Sequence, residues 1–298
     1  MSKPTFQEKI WEKKFGKDYT QRDPLLSREI DKEYIERYDI SRTSLNKKVV
    51  QVGAIIQARM GSDRLLGKVL KEIEDKPMIW HVIERLSYCK KLDDIILAIP
   101  DTKENDILEK FSQENKLKYF RGDEEDVLSR YYGAAKKFKI DVIVRITADC
   151  PLIDPVIADR VIEKHLSSKA DFTANFLEGE KGTSIRRSFP RGLEVEVFNF
   201  KTLERVHQEA KKAYQREHVD PYIFEHPEIF SLATIENQED ISYFRWTVDE
   251  KEDIELARKI YRKLYEKNNI FLMQDILNLF KKYPELKGVN KDVTQKKI

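Results

Sequence analysis

From Val49 onward the apolar positions fall into two alternating rhythms. The run Val52-Gly-Ala-Ile-Ile-Gln-Ala58 is short, apolar and followed by a glycine-containing loop, the mark of a buried strand. Met78, Val82, Ile83 and Leu86 then repeat at helical spacing. Residues 94–100 predict a second buried strand, and Ile107, Leu108 and Phe111 a second helix. Residues 118–122 predict a short third strand. Val127, Leu128, Tyr131, Ala135 and Phe138 share one face of a third helix, and residues 141–147 predict a near-continuously apolar fourth strand. Strands this apolar must be buried on both faces, which places the chain in the α/β class with a mostly parallel sheet flanked by helices. Ligands bind such sheets beyond the carboxyl ends of the strands. The loops 58–68, 100–105, 121–127 and 147–155 are therefore the candidate site before any motif is considered.

The alternation weakens after residue 170. Residues 193–199 alternate with period two, which puts Glu194 and Glu196 on one polar face. Residues 230–235 and 243–248 predict further strands. Ile254, Ala257, Ile260, Tyr261 and Leu264 predict a helix, and Ile276, Leu279 and Phe280 another. The residues from Asn290 read as a frayed tail. Residues 1–48 mix charges of both signs with scattered aromatics and show no strand signal, so they read as a charged extension, helical or partly disordered, docked by its aromatics. The expected organisation is this extension over 1–48, one domain over 49–290 and a tail over 291–298.

Composition narrows the possible partners. Among 298 residues, 55 Lys and Arg face 53 Asp and Glu, a net charge of +2 that gives no reason to expect nucleic-acid binding. Any anion site must come from local clustering. Cys89 and Cys150 form neither a CxxC pair nor a metal spacing, which suits a reducing compartment. The N-terminus lacks the apolar core of a signal peptide, and no run of roughly 18 apolar residues predicts membrane insertion, so a cytoplasmic location is expected.

One stretch supplies the clustering. Arg59, Arg64 and Lys68 place three cations around Gly61 and Gly67, directly after the first strand. Glycines let backbone N–H groups approach a ligand, and arginine offers paired hydrogen bonds to phosphate. Ala58, Arg59, Gly61, Ser62, Arg64 and Lys68 are the loop's candidate nucleotide ligands. The loop is not a Walker A motif, because five residues separate the glycines and Val69 follows the lysine. A solvated basic turn is the bland alternative, and the position after the first strand weighs against it.

Asp149 and Asp249 follow two other predicted strands. Mg²⁺ takes a few carboxylates plus substrate phosphate oxygens, so this pair is the candidate metal site. Asp154 and Asp253 are weaker candidates, and Asp154 reads as the cap of a helix over 155–166. Cys150 has no histidine beside it in sequence and reads as a packing residue. The segments 186–196 and 216–218 are dense in polar groups that an acceptor would need, or else form an exposed hairpin and a helix start.

The ordered motifs IIQARMGSDRLLGKVL, RGDEEDVLSRYY, VRITADCPLIDP, FPRGLEVEVF, REHVDPYI and RWTVDEKED resemble the cytidylyltransferases of the spore-coat-polysaccharide type, relatives of CMP-Kdo synthetases and acylneuraminate cytidylyltransferases. The resemblance covers residues 52–265. It implies a nucleotide-diphospho-sugar transferase fold of glycosyltransferase-A type with a smaller β arm that commonly mediates dimerisation, hence a homodimer. It implies that Arg59, Arg64 and Lys68 bind the triphosphate of CTP, and that Asp149 and Asp249 hold Mg²⁺. It also implies that Arg121, Gly122 and Asp126 meet base and ribose, and that Arg191, Glu194, Glu196, Arg216 and His218 serve the small-molecule acceptor. Arg59, Lys68, Asp149 and Asp249 are then the catalytic set. The chain departs from the family pattern at Leu66, where proline is usual, at Ala148, where glycine is usual, and at Glu250-Lys251, where Thr-Pro is usual. The implied reaction is CTP plus acceptor giving a CMP-linked product and pyrophosphate, in surface polysaccharide or glycoconjugate synthesis. The rivals are a glycosyltransferase that uses a nucleotide sugar and a non-catalytic scaffold of the same fold.

Overall fold

The structure, a computed structural model, describes residues 50–62, 64–177, 186–265 and 270–294. Strand β1 (Val52–Gln57) leads through the basic loop to a small hairpin, β2 (Glu72–Ile73) with β3 (Lys76–Pro77), and then to α1 (Met78–Leu86). There follow β4 (Asp94–Pro100), α2 (Asp106–Glu114), β5 (Lys118–Gly122), α3 (Val127–Phe138), β6 (Val142–Thr147) and α4 (Pro155–Ser168). The second half adds β7 (Phe172–Ala174), β8 (Phe176–Leu177), β9 (Arg186–Arg187), β10 (Glu196–Asn199), α5 (Phe200–Glu209), α6 (Ala213–His218) and α7 (Pro221–Glu225). It ends with β11 (Leu232–Thr234), α8 (Lys251–Leu264) and α9 (Met273–Lys282).

Seven strands form one sheet in the order β11-β7-β10-β6-β1-β4-β5, and β8 with β9 forms a separate antiparallel pair. β1 runs parallel to both β4 and β6, while β10 is antiparallel to its neighbours β6 and β7. Alternation along β1 explains its central place. Ala54 and Ile56 pack into one core with residues of α1, α4, α8 and α9, whereas Ile55 packs into the other with residues of α3 and α5. Because the chain leaves β1 toward β4 on one side and returns as β6 on the other, a crevice opens beyond the carboxyl end of β1, where such sheets bind ligands.

The second half differs from expectation at four places. Residues 243–248 form no strand; their backbone makes a single bridge, Arg191 with Arg245. Only Leu232–Thr234 of the segment 230–235 pairs, along the outer edge of β7. The strand read at 193–199 begins only at Glu196, and Glu196 is buried rather than on a solvated face because Arg145 on β6 pairs with it. Asn290 is not frayed: it is buried and donates to Asp253 Oδ1 at 2.8 Å and to the Arg245 carbonyl at 2.9 Å. The 1–48 extension and the tail from residue 295 lie outside the described residues.

Gly192 packs directly against the backbone of Trp246 and Thr247. Its φ of +96° lies in the left-handed region, and an added Cβ would stand 2.4 Å from the Thr247 nitrogen. Gly192→Ala is expected to cost at least about 2 kcal/mol in urea unfolding, since both backbone strain and backbone collision oppose it.

Candidate active site

The basic loop leaves β1 at Gln57 and folds back on itself. Gly67 adopts φ +63°, and its N–H donates to the Met60 carbonyl at 3.3 Å. A single 3₁₀ turn, Lys68–Leu70, follows, pinned by the buried Val69. This places Lys68 under the crevice. Its ammonium donates to Asp149 Oδ2 at 2.9 Å, to Asp249 Oδ1 at 2.8 Å and to the Val248 carbonyl at 3.0 Å. All three of its protons are thereby used.

The carboxylates come from parts of the chain far apart in sequence. Asp149 follows β6, with Oδ1 accepting from the Thr147 hydroxyl at 2.5 Å. Asp249 precedes α8, and its loop is tied to β6 by the Val248 N–H donating to the Asp149 carbonyl at 2.8 Å. Arg64 reaches Asp249 Oδ1 at 3.0 Å, and Arg245 reaches Oδ2 at 2.7 Å. Asp249 is therefore surrounded by three cations, two of them from the basic loop.

Electrostatics follow from this packing. Burial lowers the Lys68 pKa, but Asp149 and Asp249 more than offset it and hold the ammonium above the ordinary lysine value. Burial pushes the Asp149 carboxyl up, yet Lys68 and the Thr147 hydroxyl bring it below the usual aspartate value. Burial, then the Asp149 and Glu194 charges, drive the Cys150 thiol well above its ordinary value. It therefore stays protonated at neutral pH and suits the packing role rather than a nucleophilic one.

Two neighbouring aspartates are structural. Asp154 caps α4 by accepting from the Val156 and Ile157 N–H groups, and its other oxygen accepts from Met273 N–H at 2.7 Å. Asp253 pairs with Arg245 at 3.1 Å, and its Oδ2 accepts from the N–H groups of Asp249 and Glu250 at 3.0 Å each. It holds the Asp249 backbone in place. Asp253→Ala would leave the partly buried Arg245 with one partner fewer, and a loss of about 3 kcal/mol in denaturant unfolding is expected.

A cleft of about 490 Å³ opens above these groups. Ala58, Arg59, Gly61, Ser62, Arg64, Lys68, Asp149, Asp249 and His218 all line it. The remaining residues named from sequence do not line it, and most are engaged elsewhere. Arg121 pairs with Glu109, with Asp106 at 2.8 Å and with Asp101 at 3.1 Å, fastening α2 to β5. Gly122 lies beneath Arg130, whose Cγ would be 3.1 Å from an added Cβ. Asp126 caps α3 and binds Arg216 at 2.6 Å, so this base-side and acceptor-side pair satisfy each other. Arg191 is held by its backbone bridge to Arg245. Glu194 accepts from Arg187 and from Gly192 N–H, while Glu196 is paired with Arg145. Gln57, Val127, Arg130, Thr147 and Glu217, which no sequence motif marked as site residues, also line the cleft. For Arg130 a signal was available: it stands three residues after Val127 in the helical motif DVLSRYY, on an adjoining stripe.

The departures from the family pattern are accommodated. Leu66 is 75% exposed at the loop tip. Ala148 is buried, its N–H donating to the Gln57 carbonyl at 3.1 Å. Glu250 caps α8 and reaches Arg64 at 3.3 Å.

A family model described as cytidylyltransferase matches residues 53–286, which spans the basic loop, both aspartates and α8. The chain belongs to the cytidylyltransferase family. Cytidylyltransferases are nucleotidyltransferases, and the fold is that of the nucleotide-diphospho-sugar transferases. A solved cytidylyltransferase from Leptospira borgpetersenii superposes with a TM-score of 0.73 at 31% identity, covering 84% of this chain and all (100%) of that one. The spore coat polysaccharide biosynthesis protein SpsF of Bacillus subtilis is 31% identical over 238 residues, 78% of this chain and 94% of that protein. An uncharacterized protein of Methanocaldococcus jannaschii is 36% identical over 249 residues, 83% of this chain and 97% of its own length.

In its chemistry the site fits the divalent ion expected of such an enzyme. Asp149 and Asp249 converge on one point from separate loops and offer only hard oxygen donors. Among the described residues no group of three or more ligating side chains gathers, so the pair would depend on substrate oxygens to complete a shell, as Mg²⁺ sites at phosphates do.

Proposed function

We propose that the protein transfers CMP from CTP to a small acceptor and releases pyrophosphate, with Mg²⁺ held by Asp149 and Asp249. The observation that carries this reading is the Lys68 ammonium joined to both aspartates at 2.8 and 2.9 Å within the basic loop's reach. Lys68, Arg64 and Arg59 give the triphosphate its counter-charges, and Arg forks match phosphate oxygens in pairs. An acceptor oxygen forms the new bond to the α-phosphorus, the bond from that phosphorus to the β-phosphate bridge breaks, and the electron pair leaves with pyrophosphate. The basic loop neutralises charge on that leaving group as it grows. Bound Mg²⁺ would supply further charge neutralisation at the phosphates. A hydroxyl acceptor must also lose a proton, which His218, a residue of the cleft lining, would accept; a carboxylate or phosphate acceptor needs no base. Kinship with a spore coat polysaccharide protein supports a role in surface polysaccharide synthesis. The reading carries with it the homodimer and the cytoplasmic setting expected from sequence.

Purified protein incubated with CTP, Mg²⁺ and a panel of sugars, sugar acids and sugar phosphates tests the reading. Pyrophosphate release that needs both CTP and an acceptor, and that EDTA abolishes, is expected. Release of a nucleoside diphosphate from a nucleotide sugar instead would favour the glycosyltransferase alternative.

A further inference from the structure

The segment Tyr243-Phe244-Arg245-Trp246 carries three aromatic rings, yet it forms no strand and makes only the bridge at Arg245. Its rings pack against α9 instead. Phe244 meets Phe280 at 5.3 Å between centroids and stacks beside Trp246 at 5.8 Å, and Trp246 meets Phe280 edge to face at 6.1 Å. This packing leaves a second cavity of about 240 Å³, which shares no lining residue with the cleft. Tyr243, Phe244, Trp246 and Phe280 line it together with Lys287 and Lys291, which belong to the segment after α9.

Three features of this cavity point to one kind of ligand. The first is a donor. Trp246 is buried, and its indole N–H has no hydrogen-bond partner among the described residues, although a buried indole N–H normally finds one. The neighbouring Asn290 does not supply the bond, because its amide is spent on Asp253 and on the Arg245 carbonyl. The second is a set of aromatic faces, of which Tyr243 stays 72% exposed. The third is charge. Among the described residues no carboxylate lines the cavity, and neither the Lys287 nor the Lys291 ammonium pairs with one. Lys287 stands over the Phe244 ring, 5.8 Å from its centroid. The third cation of the lining, Arg245, is already neutralised by Asp249 at 2.7 Å and Asp253 at 3.1 Å. An uncompensated positive rim draws anions, flat rings stack on aromatic faces, and the free N–H calls for an acceptor.

We infer that this cavity is a second ligand site, built for a small aromatic anion. A flat ring lies among Phe244, Trp246 and Phe280, an acceptor on the ring edge takes the Trp246 indole N–H, and a carboxylate or phosphate at the other end reaches Lys287 and Lys291. The volume suits one ring with its substituents and is too small for an extended ligand. A neutral ring would leave the two ammonium groups unanswered, and an aliphatic acid would leave the aromatic faces so. The bound ligand would sit one side chain, Arg245, away from Asp249. The inference does not depend on the reaction proposed for the cleft.

Fluorine NMR on the full chain carrying 5-fluorotryptophan reads the site directly. The tryptophans are Trp11, Trp80 and Trp246, and Trp246→Phe assigns the resonance of interest. The protein is titrated with 4-hydroxybenzoate and 4-nitrophenyl phosphate, each of which joins a ring acceptor to an anion, and with neutral 4-hydroxybenzamide. At least one of the anions should move the Trp246 resonance saturably, with a Kd of about 1 mM or tighter, and the amide should bind at least about tenfold more weakly. The tighter of the two anions identifies carboxylate or phosphate. Changing both exposed lysines together, Lys287→Glu with Lys291→Glu, should weaken binding about tenfold or more. Neither lysine belongs to the packed core or to the cleft, so the variant should fold, and its weakened binding distinguishes this cavity from a shift transmitted from the cleft. No saturable shift from either anion up to about 10 mM, an amide as tight as the anions, or unchanged affinity in the folded double variant would overturn the inference.

Discussion

Lys68→Met should lower pyrophosphate release from CTP by roughly a thousandfold, the scale seen when one preorganised charge is removed from a developing anion. Two losses combine. The leaving group loses its ammonium, and the aspartates lose the group that joins them. Burial is the largest influence on the Asp149 carboxyl, and without Lys68 only the Thr147 and Cys150 hydrogen bonds oppose it, so the carboxyl moves upward, toward the neutral form that binds cations poorly. Lys68→Arg is not expected to rescue, because a planar fork cannot make three bonds to Asp149, Asp249 and the Val248 carbonyl from one atom. The stability effect has a defined pH window. Asp149 lies below its ordinary value, so its contribution is present above the usual carboxylate range and is lost as pH falls through its folded value. Lys68 lies above its ordinary value, so its contribution is full below that value and is lost as pH rises through the folded one. Urea unfolding should therefore show Lys68→Met less stable than the parent across neutral pH, with the gap closing toward strong acid. Kinetics with saturating CTP measure the rate effect; a variant with more than a tenth of parental kcat would contradict the role given to Lys68.

Asp149→Asn should be nearly inactive, with kcat reduced roughly a thousandfold to ten-thousandfold, because it removes charge while keeping shape. The amide retains a hydrogen-bonding oxygen for Thr147, so folding should survive. Titration with Mg²⁺ or Mn²⁺ in the presence of CTP should show weaker metal dependence than the parent. Asp154→Asn is the natural control, since that side chain caps α4 and binds the Met273 N–H without lining the cleft. It should lose stability and keep its rate. Equal losses in the two variants would remove the case for Asp149 as a metal ligand.

The first half of the fold was legible in the sequence because it repeats one unit. Strands β1, β4 and β6 are apolar enough to be buried, and α1 and α3 show their stripes, whereas β5 lies at the sheet edge and is only partly buried, and Ile107 of α2 is exposed. The site's core was legible for the same reason: Lys68 and Asp149 sit just beyond strand ends, where the sheet topology sends ligands. Asp249 also reached the site, although the strand expected before it does not exist. Its loop is held instead by the bridge at Arg191 and by the bond to the Asp149 carbonyl, long-range contacts that no local pattern encodes. The residues assigned to base and acceptor fared differently. Arg121, Asp126, Glu194, Glu196 and Arg216 look like ligands in a linear motif, but each finds an opposite charge within the fold. Sequence shows how many charges a motif holds and not which of them cancel. Arg130 is the converse, a charge within a helical motif whose lack of a carboxylate partner among the described residues appears only in three dimensions.

In the proposed reaction the α-phosphate of CTP ends on the acceptor. CTP labelled at the α-phosphorus, incubated with the protein, Mg²⁺ and an acceptor that supports turnover, tests it directly. The label should appear in a CMP-linked product in equal amount to the pyrophosphate released, with none of it in CDP. Label recovered as CDP, or as free CMP with no labelled acceptor, would contradict it.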